Sequence, residues 1–118
     1  MNRRVLLVED EYLLCEATRE DLEDLGLEVV CASDCDAGWD TFNADRHIDV
    51  LITDIRTPAQ RDGWELAREA RLAQPQLHVI YVSGYSASEP RPVAGGVFLQ
   101  KPYRLTQLQE ALVRFGVL

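Results

Sequence analysis

"VLLVEDE", residues 5–11, sets four apolar residues with no polar interruption directly against three acids. An apolar run without alternation is what a strand needs when both of its faces are covered, as in a parallel sheet. The acids then fall at the carboxyl end of that strand. Four more runs of similar character recur along the chain: "LEVVCA" at 27–32, "DVLIT" at 49–53, "HVIYVS" at 78–83 and "VFL" at 97–99.

Segments with helical spacing separate these runs. Leu14, Thr18, Leu22 and Leu25 fall on one stripe before Gly26, a natural helix stop. Ser33 followed by Asp36 reads as a capping pair for a short second helix with Gly38, Trp39 and Phe42 on one face. A third helix starts near Gly63, places Leu66, Ala67, Ala70 and Ala73 on one side, and is closed by Pro75. A last amphipathic helix, with Leu105, Leu108, Leu112 and Phe115, is expected to run to the end of the chain. Residues 84–95, "GYSASEPRPVAG", break the pattern: Ser86 and Glu89 offer a capping box, but Pro90 and Pro92 limit any helix there to about one turn. The helix before the fifth strand is therefore expected to be short or mobile. Five alternations of strand and helix predict an α/β fold, an open parallel sheet with helices on both faces, whose ligands bind beyond the carboxyl ends of the strands.

With 118 residues and 47% apolar content, a single domain over residues 1–118 is expected. Twenty acids against twelve bases, a net charge of -8, would repel nucleic acid phosphates and anionic lipid, so neither is expected as a direct partner. The chain shows no secretory leader and no apolar run of membrane-spanning length, and its cysteines, Cys15, Cys31 and Cys35, are odd in number. These features fit a reduced, cytoplasmic setting. Cys31 and Cys35 lack the second pair or nearby histidine that a tetrahedral metal site requires, so buried or half-buried small side chains are the expected role.

The strand ends carry the chemistry. Glu9, Asp10 and Glu11 follow the first strand, Asp54 the third, Ser83 the fourth and Lys101 the fifth. A parallel sheet brings all of these to one edge. Glu9, Asp10 and Asp54 together would raise one another's pKa unless a cation neutralised them, and Mg²⁺, which takes one or two carboxylates and keeps several waters, suits such a pocket. "EDE" alone fits a solvated helix start as well as a metal site; Asp54 at the end of an apolar strand tips the reading toward the metal. Lys101 is the only lysine among the twelve basic residues, and "FLQKPY" places it directly before a proline.

"VLLVEDE", "LITDIRTP", "YVSG" and "QKPY" occur in the order and at the spacing of the receiver domain of two-component response regulators, and the chain resembles that family over essentially its whole length. The resemblance implies a flavodoxin-like doubly wound (βα)5 fold with strand order 2-1-3-4-5. It implies that Asp54 is the phosphoacceptor, Asp10 a direct metal ligand, Glu9 a metal-site acid acting through water, and the backbone carbonyl of Arg56 a further ligand of Mg²⁺. Ser83 then matches the hydroxyl that contacts the phosphoryl group, Lys101 the cation that meets another phosphoryl oxygen, and Phe98 the aromatic switch, with the bond before Pro102 cis. The implied partners are a sensor histidine kinase or phosphotransfer protein and a downstream protein target. The implied role is a phosphoacceptor that promotes its own phosphorylation and slow dephosphorylation, not an enzyme acting on other substrates.

Between Pro58 and the "DG" of Asp62 and Gly63 the spacing is one residue longer than the commonest receiver pattern. That insertion, "VSGY" and "FLQKPY" resemble stand-alone receivers common in alphaproteobacteria, and no output domain is expected after the last helix. Arg56 and Tyr85 occupy positions that in this family influence access of water to the phosphoryl group, so a slow self-dephosphorylation is expected.

Three rivals share parts of this pattern. A flavodoxin-type electron carrier needs a hydroxyl-rich phosphate loop where "VEDEY" offers carboxylates. An aspartate-nucleophile phosphatase usually has a second Asp two residues on, where this chain has Arg56. An unphosphorylated interaction receiver would typically have lost one of the core site residues.

Overall fold

The computed structural model describes residues 3–45, 47–84 and 90–118. Its elements follow one another as β1 (Arg4–Val8), α1 (Tyr12–Asp24), β2 (Glu28–Ala32), α2 (Cys35–Ala44), β3 (Val50–Asp54), α3 (Gly63–Ala73), β4 (His78–Ser83), β5 (Val97–Gln100) and α4 (Leu105–Arg114). All five strands are parallel, in the order β2-β1-β3-β4-β5. The doubly wound sheet expected from the apolar runs is what forms.

Burial explains why the runs lack alternation. Every residue of β3 is buried, because the strand is central and both its faces are packed. Leu6, Val8 and Leu51 join Phe42, Leu66, Ala67 and Tyr81 in a core on the α2–α3 side. Val5, Leu7, Val50 and Ile52 face the other way, onto Leu22, Leu108 and Leu112 of α1 and α4. The chain leaves β1 toward β2 on one side and returns as β3 on the other, so the topological switch point lies between the carboxyl ends of β1 and β3.

The helix ends explain the connections. Gly26 (φ +93°) and Gly116 (φ +77°) take left-handed conformations after α1 and α4. In each case the next residue's N–H reaches back to a carbonyl in the last turn, Leu27 to that of Leu22 and Val117 to that of Leu112, closing a Schellman turn. Thus α4 stops at Arg114 and does not continue to the chain end as its pattern suggested. At the start of α3, Asp62 accepts from the Glu65 N–H while the Glu65 carboxylate accepts from the Asp62 N–H.

Two helix readings are corrected. The cap of α2 is Asp34, whose side chain accepts from the Ala37 N–H at 2.7 Å, and not Ser33 paired with Asp36. Asp36 instead accepts from the backbone N–H groups of Gln60 and Arg61 and pairs with the Arg61 guanidinium, fastening the lengthened loop before α3 to α2. Ala73 is exposed, because α3 ends there and Leu77 takes up the core position that the helical stripe would have continued. The capping pair Ser86 and Glu89, and with it most of the expected short helix, lies outside the described residues; residues 90–96 carry no helix. No described helix is long and apolar enough to cross a membrane.

The corrected cap is testable by urea unfolding. Asp34→Ala is expected to lower stability by about 1 kcal/mol, the usual cost of losing an N-cap, and Ser33→Ala to change it by only a few tenths. The reverse ranking would restore the Ser33 cap.

Candidate functional site

Parallel register delivers the site residues to one edge. Glu9 follows β1, and its backbone N–H continues the ladder to the Ala32 carbonyl at 3.0 Å; Asp54 and Ser83 are the last residues of β3 and β4. Lys101 follows β5, with its N–H on the Ser83 carbonyl at 2.8 Å. Glu9, Asp54 and Ser83 are buried, whereas Asp10 is exposed.

The lone lysine joins the two buried acids. Lys101 Nζ lies 2.7 Å from Glu9 Oε1 and 2.7 Å from Asp54 Oδ1. The second Glu9 oxygen accepts from the Glu11 N–H at 3.1 Å, but Asp54 Oδ2 is buried with no hydrogen-bond partner among the described residues. Carboxylate oxygens of Glu9, Asp10 and Asp54 lie within 4.8 Å of one another. Three carboxylates against one ammonium leave an excess of two negative charges when all are ionised. A hard divalent cation with oxygen ligands fits both that excess and the unpartnered Asp54 oxygen, so the residues present suit Mg²⁺.

The electrostatics carry the mark of this crowding. Burial first, and then the Glu9 carboxylate beside it, push the Asp54 carboxyl up from 3.8 to about 7, against the pull of Lys101. Glu9 moves the other way: burial opposes ionisation, but Asp54 and the Lys101 ammonium outweigh it. The Lys101 ammonium is held charged well above its usual range because its two carboxylate partners overcome the cost of burial.

Asp10, Glu11, Asp54, Arg56, Ser83 and Lys101 contribute to the wall of an open cavity of about 430 Å³. The site residues expected from the sequence therefore converge on one place, with the exception of Phe98. That residue is 43% exposed on β5, opposite Tyr81 in the strand register and away from the cavity lining. The Lys101–Pro102 peptide bond is cis, as expected. Tyr85 lies outside the described residues.

The pattern of motifs did not reveal what holds the Asp54 backbone. Its carbonyl accepts from the Thr53 hydroxyl at 2.8 Å and from the Cys35 thiol at 3.7 Å. A Cβ added to Gly63 would stand 2.3 Å from that same carbonyl oxygen and 2.8 Å from Ile55 Cα, so no side chain fits there. "DG" was the available signal: Asp62 caps α3 and Gly63 lets α3 start against the end of β3. Thr57 adds a further tie, accepting from the Cys35 N–H at the start of α2.

Residues 5–113 match the family model for the response regulator receiver domain. The chain belongs to this family. A response regulator receiver protein from Sinorhizobium medicae superposes with a TM-score of 0.91 at 31% identity, over 97% of this chain and 94% of that one. The response regulator TrrA of Thermotoga maritima, in complex with Mg²⁺ and BeF, superposes with a TM-score of 0.85 at 26% identity, over 96% and 98% of the two chains. The receiver protein CpdR of Brucella abortus is 28% identical over 90% of both chains. Other curated relatives are longer: the chain spans 55% of the transcriptional regulatory protein CrdR of Helicobacter pylori, at 27% identity over 98% of its own length. The chain thus covers most of some relatives, such as CpdR, and about half or less of others.

The raised Asp54 pKa has a signed consequence for stability. Between about pH 4 and 7 the metal-free folded protein retains a proton that the unfolded chain has lost, so its stability falls as pH rises through that window. The lowered Glu9 pKa acts in the opposite sense and below that window, its stabilisation being complete above about pH 4.5 and lost as pH falls. In metal-free buffer at pH 8, Asp54→Asn is expected to be more stable than the parent by on the order of 1–3 kcal/mol in urea unfolding, with the difference shrinking toward pH 4. Saturating Mg²⁺ is expected to reverse the ranking by stabilising only the parent. Parallel pH curves for the two proteins would contradict a strained Asp54.

Proposed function

We propose that this receiver is a phosphorylation-driven switch that takes a phosphoryl group on Asp54 from a phosphohistidine of a sensor kinase or phosphotransfer protein. One observation carries the reading: Lys101 holds Asp54 Oδ1 and Glu9 while Asp54 Oδ2 is buried, with no hydrogen-bond partner among the described residues, beside a cavity. Such a carboxylate is positioned by one oxygen and available through the other.

Asp10 and Asp54, with the backbone carbonyl of Arg56, would hold Mg²⁺, and Glu9, both of whose oxygens already accept hydrogen bonds, would act through water. When bound, Mg²⁺ neutralises charge that builds on the transferring phosphoryl oxygens. An Asp54 oxygen attacks phosphorus in line, the O–P bond forms, and the P–N bond to the donor imidazole breaks. Lys101, released from part of its carboxylate pairing, meets one equatorial oxygen, and the Ser83 hydroxyl meets another. The fixed backbone of Asp54, gripped by Thr53, Cys35 and the close approach of Gly63, keeps the nucleophile aimed.

The signal follows from the same contacts. Phosphorylation draws Ser83 toward Asp54, Phe98 leaves its exposed position for the space vacated, and the surface around β5 changes for a downstream protein target. The Arg56 side chain, on the wall of the cavity, slows hydrolysis by limiting access of water. A kinase-linked donor is in keeping with the relatives: the sensor kinase CckA of Brucella abortus is 34% identical over 88% of this chain, although the match spans only 11% of CckA. The acidic site sits within a chain of net charge -8, which suits neither a nucleic acid nor an anionic membrane as direct partner. A cytoplasmic location agrees with this role.

Incubation with Mg²⁺ and acetyl phosphate tests the reading. The expected product is one base-labile phosphoryl adduct per chain, lost in Asp54→Asn and on chelation of the metal. Lys101→Arg is expected to keep the fold and Mg²⁺ binding but to slow adduct formation at least tenfold, since a planar fork cannot reproduce a point charge shared between two acids. Continuous release of free phosphate without an accumulating adduct would favour a phosphatase, and no reaction at all would favour an interaction module.

A further inference from the structure

Away from the acidic cavity, two thiols that the sequence separates by sixteen positions are brought together. Cys15, on the inner face of α1, donates to Cys31 of β2 with 2.8 Å between the sulfurs. All three cysteines of the chain are free, and Cys35 lies elsewhere, fully buried against Thr53 and the Asp54 carbonyl. We propose that Cys15 and Cys31 form a site of reversible covalent modification, an oxidisable thiol pair that a peroxide converts to a disulfide joining α1 to β2.

The two thiols differ in the way that such a pair requires. Cys31 is only half buried, on a strand at the edge of the sheet, and is the sulfur that a small oxidant reaches. Cys15 is 5% exposed, and its thiol is pushed up to about 12, by burial first and then by Cys31, so it keeps its proton and acts second. In the first step the Cys31 sulfur attacks one peroxide oxygen: the S–O bond forms, the O–O bond breaks, and the departing hydroxide takes the Cys31 thiol proton and leaves as water. In the second, the Cys15 sulfur attacks the sulfenic sulfur of Cys31. The S–S bond forms, the S–O bond breaks, and the Cys15 proton leaves with the hydroxyl as a second water. The two electrons lost by the thiols are those that reduced the peroxide. Closing the gap from 2.8 Å to a bond of about 2.05 Å asks for less than an ångström of movement.

The bond would sit next to the acidic site without belonging to it. Cys31 stands opposite Leu7 in the β1–β2 register, and the neighbouring Ala32 carbonyl accepts the N–H of Glu9. α1 begins at Tyr12, immediately after Glu9, Asp10 and Glu11. A disulfide here ties the helix that leaves the metal acids to the edge strand that flanks them. The inference depends on the thiol geometry alone and stands whether or not Asp54 is phosphorylated.

The test treats the folded protein with a small excess of hydrogen peroxide, blocks remaining thiols with iodoacetamide during denaturation, and maps the products by mass spectrometry. Cleavage before Asp34 separates Cys31 from Cys35. The expected product is a monomer lighter by two hydrogens, with Cys15 linked to Cys31, Cys35 alkylated, and full reversal by dithiothreitol. The link is expected to persist in Cys35→Ser and to vanish in Cys15→Ser and Cys31→Ser. Cys31 accumulating as sulfinic acid beside an alkylated Cys15, a disulfide-linked dimer, or all three cysteines alkylated would each overturn the proposal. Mapping the unsubstituted protein decides between these outcomes even if a serine variant fails to fold.

Discussion

The site depends on one ammonium group placed between two buried carboxylates. Glu9 and Asp54 stand at the ends of adjacent parallel strands whose connections lead to opposite sides of the sheet, and without a cation they could not both be ionised so far from water. Lys101 meets one oxygen of each at 2.7 Å and reaches them from the far side of the sheet, past β4. The bridge satisfies only part of the excess negative charge. The remaining demand, expressed in the raised Asp54 pKa and in an Asp54 oxygen with no partner among the described residues, is one that a divalent cation would answer.

The scaffold answers the same demand by immobilising the backbone. Asp54 ends a strand buried along its whole length, and its carbonyl is enclosed by Thr53, Cys35 and the first residue of α3. Three elements thus share one contact point at the Asp54 carbonyl. Charge can reorganise above this point because little can move below it. The same division separates the rigid interior, where Tyr81 packs on Trp64, from the exposed Phe98 beside it on the edge strand.

Much of this was legible in the amino-acid order, for local reasons. Apolar runs without alternation identified parallel strands, and polar residues at their carboxyl ends had to share an edge, so Glu9, Asp10, Asp54, Ser83 and Lys101 could be grouped by sequence alone. Helix ends were less transparent. Ser33 and Asp34 are both good caps in adjacent positions, and only the chain direction entering α2 decides for Asp34. Ala73 satisfied the helical stripe but sits where the helix runs out. The grip on the Asp54 carbonyl and the meeting of Cys15 with Cys31 depend on packing between elements far apart in sequence, and local pattern carries no record of that.

The most direct measurement is a carbon-13 NMR titration of the Asp54 side-chain carboxyl, with and without Mg²⁺. In metal-free protein, Asp54 is expected to titrate near neutrality, and saturating Mg²⁺ is expected to shift that midpoint down by more than a unit, with release of a proton at pH 7. Titration in the ordinary aspartate range near pH 4, unchanged by Mg²⁺, would show that Asp54 is neither crowded by Glu9 nor a metal ligand.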